Sequence, residues 1–335
     1  MQSVKDRIII GEPELIRSDS ELDFTFDGPM VPLKNPDGSL KFLTVDLGGE
    51  KYFHKFVGTP ENIMAKHEYF EMDYNGHAEF WPCGIWVMSA YKYDDGTLVG
   101  FCHREILHKT DPHFPTIYYI GLAVSYDNGD KWKYIGDIAS NVCNSQNGFF
   151  SNMGGCPLFV KDGYFYIYFN DYDNNRVQRV TSARMKMDET LDCIREEKLP
   201  AVFKYSGAGE WKTDPWNETG ARIIPNVGYN VDSHAKGVYC RALDRFLITM
   251  QTGGNGRLIM YISADGEHFD EHIIVDTNEQ RLMQPYSFFV STDGDCSDDM
   301  NIIGKEFYIY YPRKGTGVGY DYDYDEFYRR KVTII

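Results

Sequence analysis

Apolar positions along the chain fall in short runs of Val, Ile, Tyr and Phe broken by Gly and Asp, and a 3.6-residue period is almost absent. The pattern predicts strands nearly throughout. One stretch, "TPENIMAKHEYF", reads instead as a short helix, with Thr59 as its cap and Pro60 in its first turn. Five hairpins recur: "NPDGSLKFLTVD", "KYDDGTLVGFCHRE", "FVKDGYFYIYFND", "RALDRFLITMQT" and "NIIGKEFYIYYPR". Three carry an Asp-Gly turn, at Asp37-Gly38, Asp95-Gly96 and Asp162-Gly163, and the others keep one member each, Asp244 and Gly304. From 37 to 304 the spacing is about 67 residues per step, and five such steps account for the chain.

A second repeated feature follows the hairpins. In "GLAVSYDNGDKW" the residues Ser125, Asp127, Gly129 and Trp132 have the S-x-D-x-G-x-x-W spacing of an Asp-box. Asp127 suits a turn that bonds its own backbone, Gly129 suits positive φ, and Trp132 suits a plug into the core. A one-residue-shorter copy, Ser263, Asp265, Gly266 and Phe269, lies 138 residues on, which is two repeats.

Strands grouped in fours with a fixed repeat predict an all-β fold, a five-bladed β-propeller of four-stranded antiparallel blades. The blades are expected near 22–70, 80–140, 150–195, 230–276 and 284–335. The Gly/Pro-rich segment 196–229, with Trp211 and Trp216, reads as an excursion between blades. No Ser/Pro-rich linker divides the sequence, so 1–335 is read as one domain.

Composition narrows the function. Hydrophobic content of 42% and aromatic content of 15% suffice for a packed core. The 25 tyrosines suit half-buried strands, and also ligands that offer both CH faces and hydroxyls, as sugars do. A net charge of −16 without any basic run argues against nucleic acid and anionic membrane as partners. Seven scattered cysteines with no C-x-x-C read as reduced thiols. The N-terminal apolar run of three residues is too short for a signal peptide, and no segment is long enough to span a bilayer. A cytoplasmic location is expected, the alternative being an exported protein whose signal is absent from this sequence.

In a propeller, one mouth of the central channel collects the starts of first strands and the ends of second strands. The second strands end on Asp46, Glu105, Asp171, Gln251 and Arg313, all ionisable or amide. Strand ends are also polar simply because they meet solvent. The first strands begin near Asp27; near His77, Glu79, Trp81 and Trp86; near Asn152 and the Gly154-Gly155 pair, expected to let backbone approach a ligand; near Asp232 and His234; and near Gln284 and Tyr286. His103 and Glu105 alternate along one strand, so both face the same way. A histidine beside a carboxylate tunes its proton affinity, as a general acid requires; a structural ion pair or a metal site is the alternative. The acidic loop "TDGDCSDDMN" (Asp293, Asp295, Asp298, Asp299) and "NDYDNN" lack EF-hand spacing and read as solvated loops. No metal site and no cofactor is expected, with structural Ca²⁺ as the alternative for those loops. Serine-elbow, H-E-x-x-H, phosphate-loop and dinucleotide motifs are absent.

The chain resembles the five-bladed β-propeller glycoside hydrolases, the superfamily that includes glycoside hydrolase family 43. The likeness is carried by the turn at Ser125–Trp132 and its copy at Ser263–Phe269, by "GTLVGFCHREILH" with "YYIGLAVSYDNG", and by "GGCPLFVKDGYFYIYFND". It implies a glycosidase acting on an oligo- or polysaccharide through a carboxylate base, a carboxylic acid and an aspartate that orients the acid. Carried over, these are Asp27, Glu105 and Asp171, with Glu79 as a substitute acid. His103, Glu79, Trp86, Asp232, His234, Gln251, Tyr286 and Arg313 would bind the carbohydrate substrate, and inversion is the expected stereochemistry. The chain departs from the pattern in lacking the short N-terminal Asp-Pro signature and in placing Glu105 as early as blade two. Of the rim tryptophans Trp81, Trp86, Trp211 and Trp216, one or two are expected to touch a ligand. The alternative function is a non-catalytic propeller that binds glycan or protein. Phosphorolysis would need a basic phosphate pocket, for which the sequence offers only Arg313, His234 and isolated lysines.

Overall fold

A computed structural model describes residues 3–18, 21, 26–46, 53–77, 84–107, 116–142, 152–225, 231–252, 256–277, 284–314 and 325–335. Five antiparallel sheets form the five blades of a propeller. Blade one is built of Val31–Lys34, Leu40–Val45, Phe53–Gly58 and Lys66–Tyr69. Blade two contains Gly84–Lys92, Leu98–Leu107, Thr116–Ser125 and Lys131–Ala139, and Glu71–Asp73 adds in parallel to its outer strand. Blade three runs from Leu158–Lys161 through Tyr164–Tyr172, Gln178–Lys186 and Phe203–Gly207 to Glu210–Lys212. Blade four has Gly237–Cys240, Arg245–Thr252, Arg257–Ser263 and Glu271–Thr277, joined by Val231–Asp232 and by Ile302–Ile303. Blade five combines Phe288–Ser291, Glu306–Lys314 and Asp325–Ile334 with the N-terminal strand Ile8–Ile10, and Glu14–Arg17 also pairs there. The ring is therefore closed by the start of the chain pairing with its end.

The expected helix at "TPENIMAKHEYF" is not formed. Thr59 and Asn62 exchange backbone hydrogen bonds in a turn, and Lys66–Tyr69 is the outer strand of blade one. Cross-strand ring contacts of His67 with His54 and Phe56 hold that strand in place, and they outweigh the local helix signals. The α-helix among the described residues is Met187–Arg195, which buries Thr190 and Ile194 one turn apart after blade three's third strand. The segment 196–229, read as an excursion, supplies the two strands at 203–207 and 210–212.

The hairpin turns differ in type. Asp162 and Gly163 both have positive φ, 51° and 76°, as a two-residue type I′ turn requires. At Gly38 and Gly96 only the glycine is left-handed, and the preceding aspartates accept the N–H of Ser39 and Thr97. In the longer turn, Asp127 Oδ1 accepts the N–H groups of Asp130 and Lys131, Ser125 Oγ accepts that of Gly129, and Trp132 Nε1 donates to the Gly129 carbonyl. Trp132 is then buried against Gly100, where a Cβ would stand 2.6 Å from its ring. The shorter copy repeats this scheme, with Asp265 Oδ1 accepting from Glu267 and His268 while Phe269 is buried.

The acidic stretch 293–299, expected to be a solvated loop, is instead tied into the fold. Its hairpin crosses the channel end where first strands finish. The Asp298 carbonyl accepts from Lys34 N–H of blade one at 2.7 Å, and Asn301 Nδ2 donates to the Ala90 carbonyl of blade two at 2.8 Å. Lys236 Nζ of blade four donates to the Asp299 carbonyl at 2.9 Å. Asp293 and Asp299 direct their carboxylates to backbone N–H groups, Asp295 pairs with Arg241, and Asp298 pairs with Lys92. Apolar clusters fill the spaces between blades, and Cys102, Cys156 and Cys240 lie buried as free thiols.

Candidate active site

At the opposite mouth, side chains from four blades form one chain of contacts. Asp27 is set beside the end of blade one's second strand, where its N–H donates to the Val45 carbonyl at 3.1 Å. The Tyr286 hydroxyl donates to Asp27 Oδ1 at 3.1 Å. Tyr286 N–H donates to the His234 carbonyl at 2.7 Å, and the two rings meet edge to face with centroids 5.6 Å apart. His234 in turn meets His103 at 6.0 Å. His103 Nε2 lies 3.0 Å from Glu105 Oε1, confirming that the two share a strand face. Trp86 and Tyr118 flank the His103 ring at 5.4 and 5.7 Å. His103 is buried, and its Nδ1 has no hydrogen-bond partner among the described residues. Glu105, by contrast, keeps 30% of its side chain exposed.

The other ring positions make different contacts. Asp171 is fully buried, and its oxygens accept from Gly220 N–H at 2.6 Å, Tyr172 N–H at 3.0 Å and Lys204 Nζ at 3.5 Å. Burial pushes its carboxyl up and the Lys204 ammonium down, each partly offset by the other's charge. These contacts anchor the 203–220 segment, and a contact with Glu105 is not among them. Arg313 is paired with Asp276. It donates through Nε and Nη2 to Asp276 Oδ2 at 3.1 and 2.8 Å, and Arg330 holds the other oxygen at 2.7 Å. Burial opposes ionisation of Asp276, but the two guanidiniums prevail and hold its carboxyl below the usual range. Gln284 Nε2 also donates to Asp276, while Gln284 N–H donates to Gln251 Oε1, so Gln251 adjoins this network.

Gly154 has φ 74°, and a Cβ there would stand 2.5 Å from Ser233 Oγ. The close approach at Gly154-Gly155 in this structure is to blade four. His77 packs its ring edge-on to Tyr134 and accepts from Arg104 through its carbonyl. Trp211 stacks under Arg184 and beside Tyr205 in blade three, whereas Trp216 is 36% exposed beside Tyr119. Glu79 and Trp81 lie outside the described residues, as does the side chain of Asp232, whose backbone pairs with Gln251. Asp276, Lys204 and Tyr118 were not singled out from the sequence. A lone charge in the apolar run "HIIVDT" was the available signal for Asp276.

No protein-family model matches the sequence, and no curated protein matches it. Solved structures do match over nearly the whole chain. A protein of unknown function from Dyadobacter fermentans DSM 18053 is 11% identical, covers 98% of this chain and 100% of its own, and gives a TM-score of 0.54. The α-L-arabinanase of Penicillium chrysogenum, complexed with arabinobiose, is 11% identical over 98% of this chain and 100% of its own, with a TM-score of 0.52. The catalytic domain of the Coprinopsis cinerea family-62 α-L-arabinofuranosidase is 9% identical over 97% and 96%, with a TM-score of 0.54. The chain thus shares the fold of five-bladed propeller glycoside hydrolases, as its turns and hairpins had suggested. Among the described residues no helix is long and apolar enough to cross a membrane.

Proposed function

We propose that the protein is a glycoside hydrolase working at this mouth, with Glu105 as general acid and Asp27 as general base. The observation that carries the reading is the unbroken run Asp27–Tyr286–His234–His103–Glu105, which links two carboxyl groups through three rings. Glu105 delivers its proton to the glycosidic oxygen as the bond to the anomeric carbon breaks. Asp27 takes a proton from the water that attacks that carbon, and the water's oxygen becomes the new anomeric hydroxyl. With its proton on Nε2, His103 then donates to the carboxylate left on Glu105. The Tyr286 hydroxyl fixes the rotamer of Asp27. Inversion requires the two carboxyl groups to lie about 6.5–9.5 Å apart, which leaves room for the attacking water. His234 and Tyr286, both half-buried, supply apolar edges for the sugar, while the buried Trp86 and Tyr118 back the His103 ring. Asp171 serves as a buried anchor in this scheme.

The test is release of sugar from a panel of aryl glycosides and plant oligosaccharides by wild type, Glu105→Gln and Asp27→Asn. Each substitution should lower turnover by about 10²–10⁴-fold, the usual contribution of a general acid or base. Activity surviving both changes would move the chemistry elsewhere. Glycan binding without turnover would favour a binding module.

A further inference from the structure

We infer that the opposite end of the propeller carries a second, separate saccharide-binding site. The first strand of blade two, Gly84–Lys92, starts at the proposed active site and ends at this second opening, a rise of about 25 Å. There a cavity of about 620 Å³ is lined by Tyr91, Tyr93, Tyr239, Asp94, Lys92 and Asn301 among others, a size within the range of small-molecule sites. Its floor is the 292–305 hairpin, pinned to blades one, two and four as described above.

The lining states what it would bind. Three phenol rings from blades two and four offer apolar faces, and Tyr91 and Tyr93 stand edge to face at 5.1 Å. Among the described residues the hydroxyl of the half-buried Tyr91 has no hydrogen bond, and Asp94, an exposed carboxylate, has neither ion pair nor side-chain hydrogen bond. Asn301 is 95% buried and donates through Nδ2 to Ala90, yet its Oδ1 has no partner. The lining thus places a free phenol hydroxyl and an exposed carboxylate beside aromatic faces, which a polyhydroxylated ring matches. Asp94, Asp298 and Asp299 outnumber Lys92, so phosphorylated and other anionic ligands are repelled. Lys92, paired with Asp298, offers a hydroxyl a donor. The inference rests on this cavity alone and does not require the catalytic reading.

Hydrogen–deuterium exchange of the Glu105→Gln protein with arabinotriose, xylotriose, galactobiose, cellotriose and maltotriose tests it. At least one sugar should slow exchange several-fold in peptides covering 91–99 and 297–303. Tyr91→Ala and Asp94→Ala should abolish that protection, and Tyr91→Phe should weaken the apparent affinity about tenfold, the effect of one hydrogen bond. All three should leave any protection near 234 and 286 unchanged. The inference is overturned by no protection at the lower opening at about 10 mM sugar, a weak-binding limit. Protection there by choline and not by sugars would overturn it equally. Lower-opening protection in a protein that hydrolyses nothing would refute only the glycosidase reading.

Discussion

The Tyr286 hydroxyl reaches Asp27 Oδ1 at 3.1 Å, joining residues 259 positions apart and closing the fifth blade onto the first. Tyr286 does so from a left-handed backbone conformation, φ 59°, which a bulky residue adopts only when its surroundings dictate it. Its N–H is fixed by His234 and its hydroxyl by Asp27, so the strained residue is held at both ends by the proposed site.

Tyr286→Phe removes the hydroxyl and keeps the ring. A hydrogen bond to a charged group contributes about 1.5–3 kcal/mol, so kcat should fall about 10- to 100-fold with little change in Tm. Loss of the donor also disfavours the Asp27 carboxylate, and the acid limb of the kcat/KM profile should move to higher pH. An unmoved limb with unchanged kcat would remove Asp27 from the base role.

Asp171→Ala tests anchor against catalyst. It leaves Lys204 buried without its counter-charge, and breaking such a pair costs about 3–5 kcal/mol. Chemical denaturation should show that loss, whereas kcat of the protein that remains folded should change less than tenfold. Replacing Lys204 by Met in the same background should restore much of the stability.

Asp127→Ala should cost about 1–3 kcal/mol, because two backbone N–H groups and the Ser125 hydroxyl lose their acceptor at once. The turn sits at the outer part of blade two, far along the strand from Glu105. Activity per folded molecule should therefore be unchanged, as a substrate titration at a temperature well below Tm would show.

That turn is also where the sequence was most legible. Ser125, Asp127, Gly129 and Trp132 interact within eight residues, so spacing alone reveals their geometry, and the 67-residue recurrence reveals the ring. His103 and Glu105 were legible for the same reason, being two apart on a strand. Long-range choices were not. Arg313 pairs with an aspartate 37 positions away, and Asp171 meets a lysine 33 positions away. The segment 59–70 carried helix-start residues, but ring stacking across blade one selected a strand. The closing N-terminal strand was hidden because its partner lies at the other end of the chain.

Asp276 sets a prediction in acid. Its folded carboxyl titrates below the unfolded value of about 3.9, so its stabilising effect is complete above that pH and is lost as pH falls through the folded value. Asp276→Asn leaves Arg313 and Arg330 without their carboxylate and should cost about 3–5 kcal/mol at pH 7. The gap in Tm between wild type and variant should narrow as pH is lowered from 5 to about 2, the range in which acid protonates paired carboxylates. A gap constant over that range would mean that Asp276 is not ionised in the folded protein.

Lys236 sets the opposite dependence in alkali. It is fully buried, and burial pushes its ammonium down to about 8, with Asp299 offsetting part of the effect. The unfolded chain, with a lysine value of about 10.4, then binds more protons than the folded one between those limits, so this residue makes stability rise with pH across that interval. The full swing is about 3 kcal/mol, at 1.36 kcal/mol per unit. Lys236→Met keeps the length and removes the charge; it should stabilise the protein at pH 7 and flatten the rise, despite losing the bond to the Asp299 carbonyl. Urea denaturation of both proteins at pH 7, 8, 9 and 10 isolates the lysine, since tyrosines and cysteines titrate alike in the two. Parallel curves across the series would show that Lys236 stays charged in its buried place throughout.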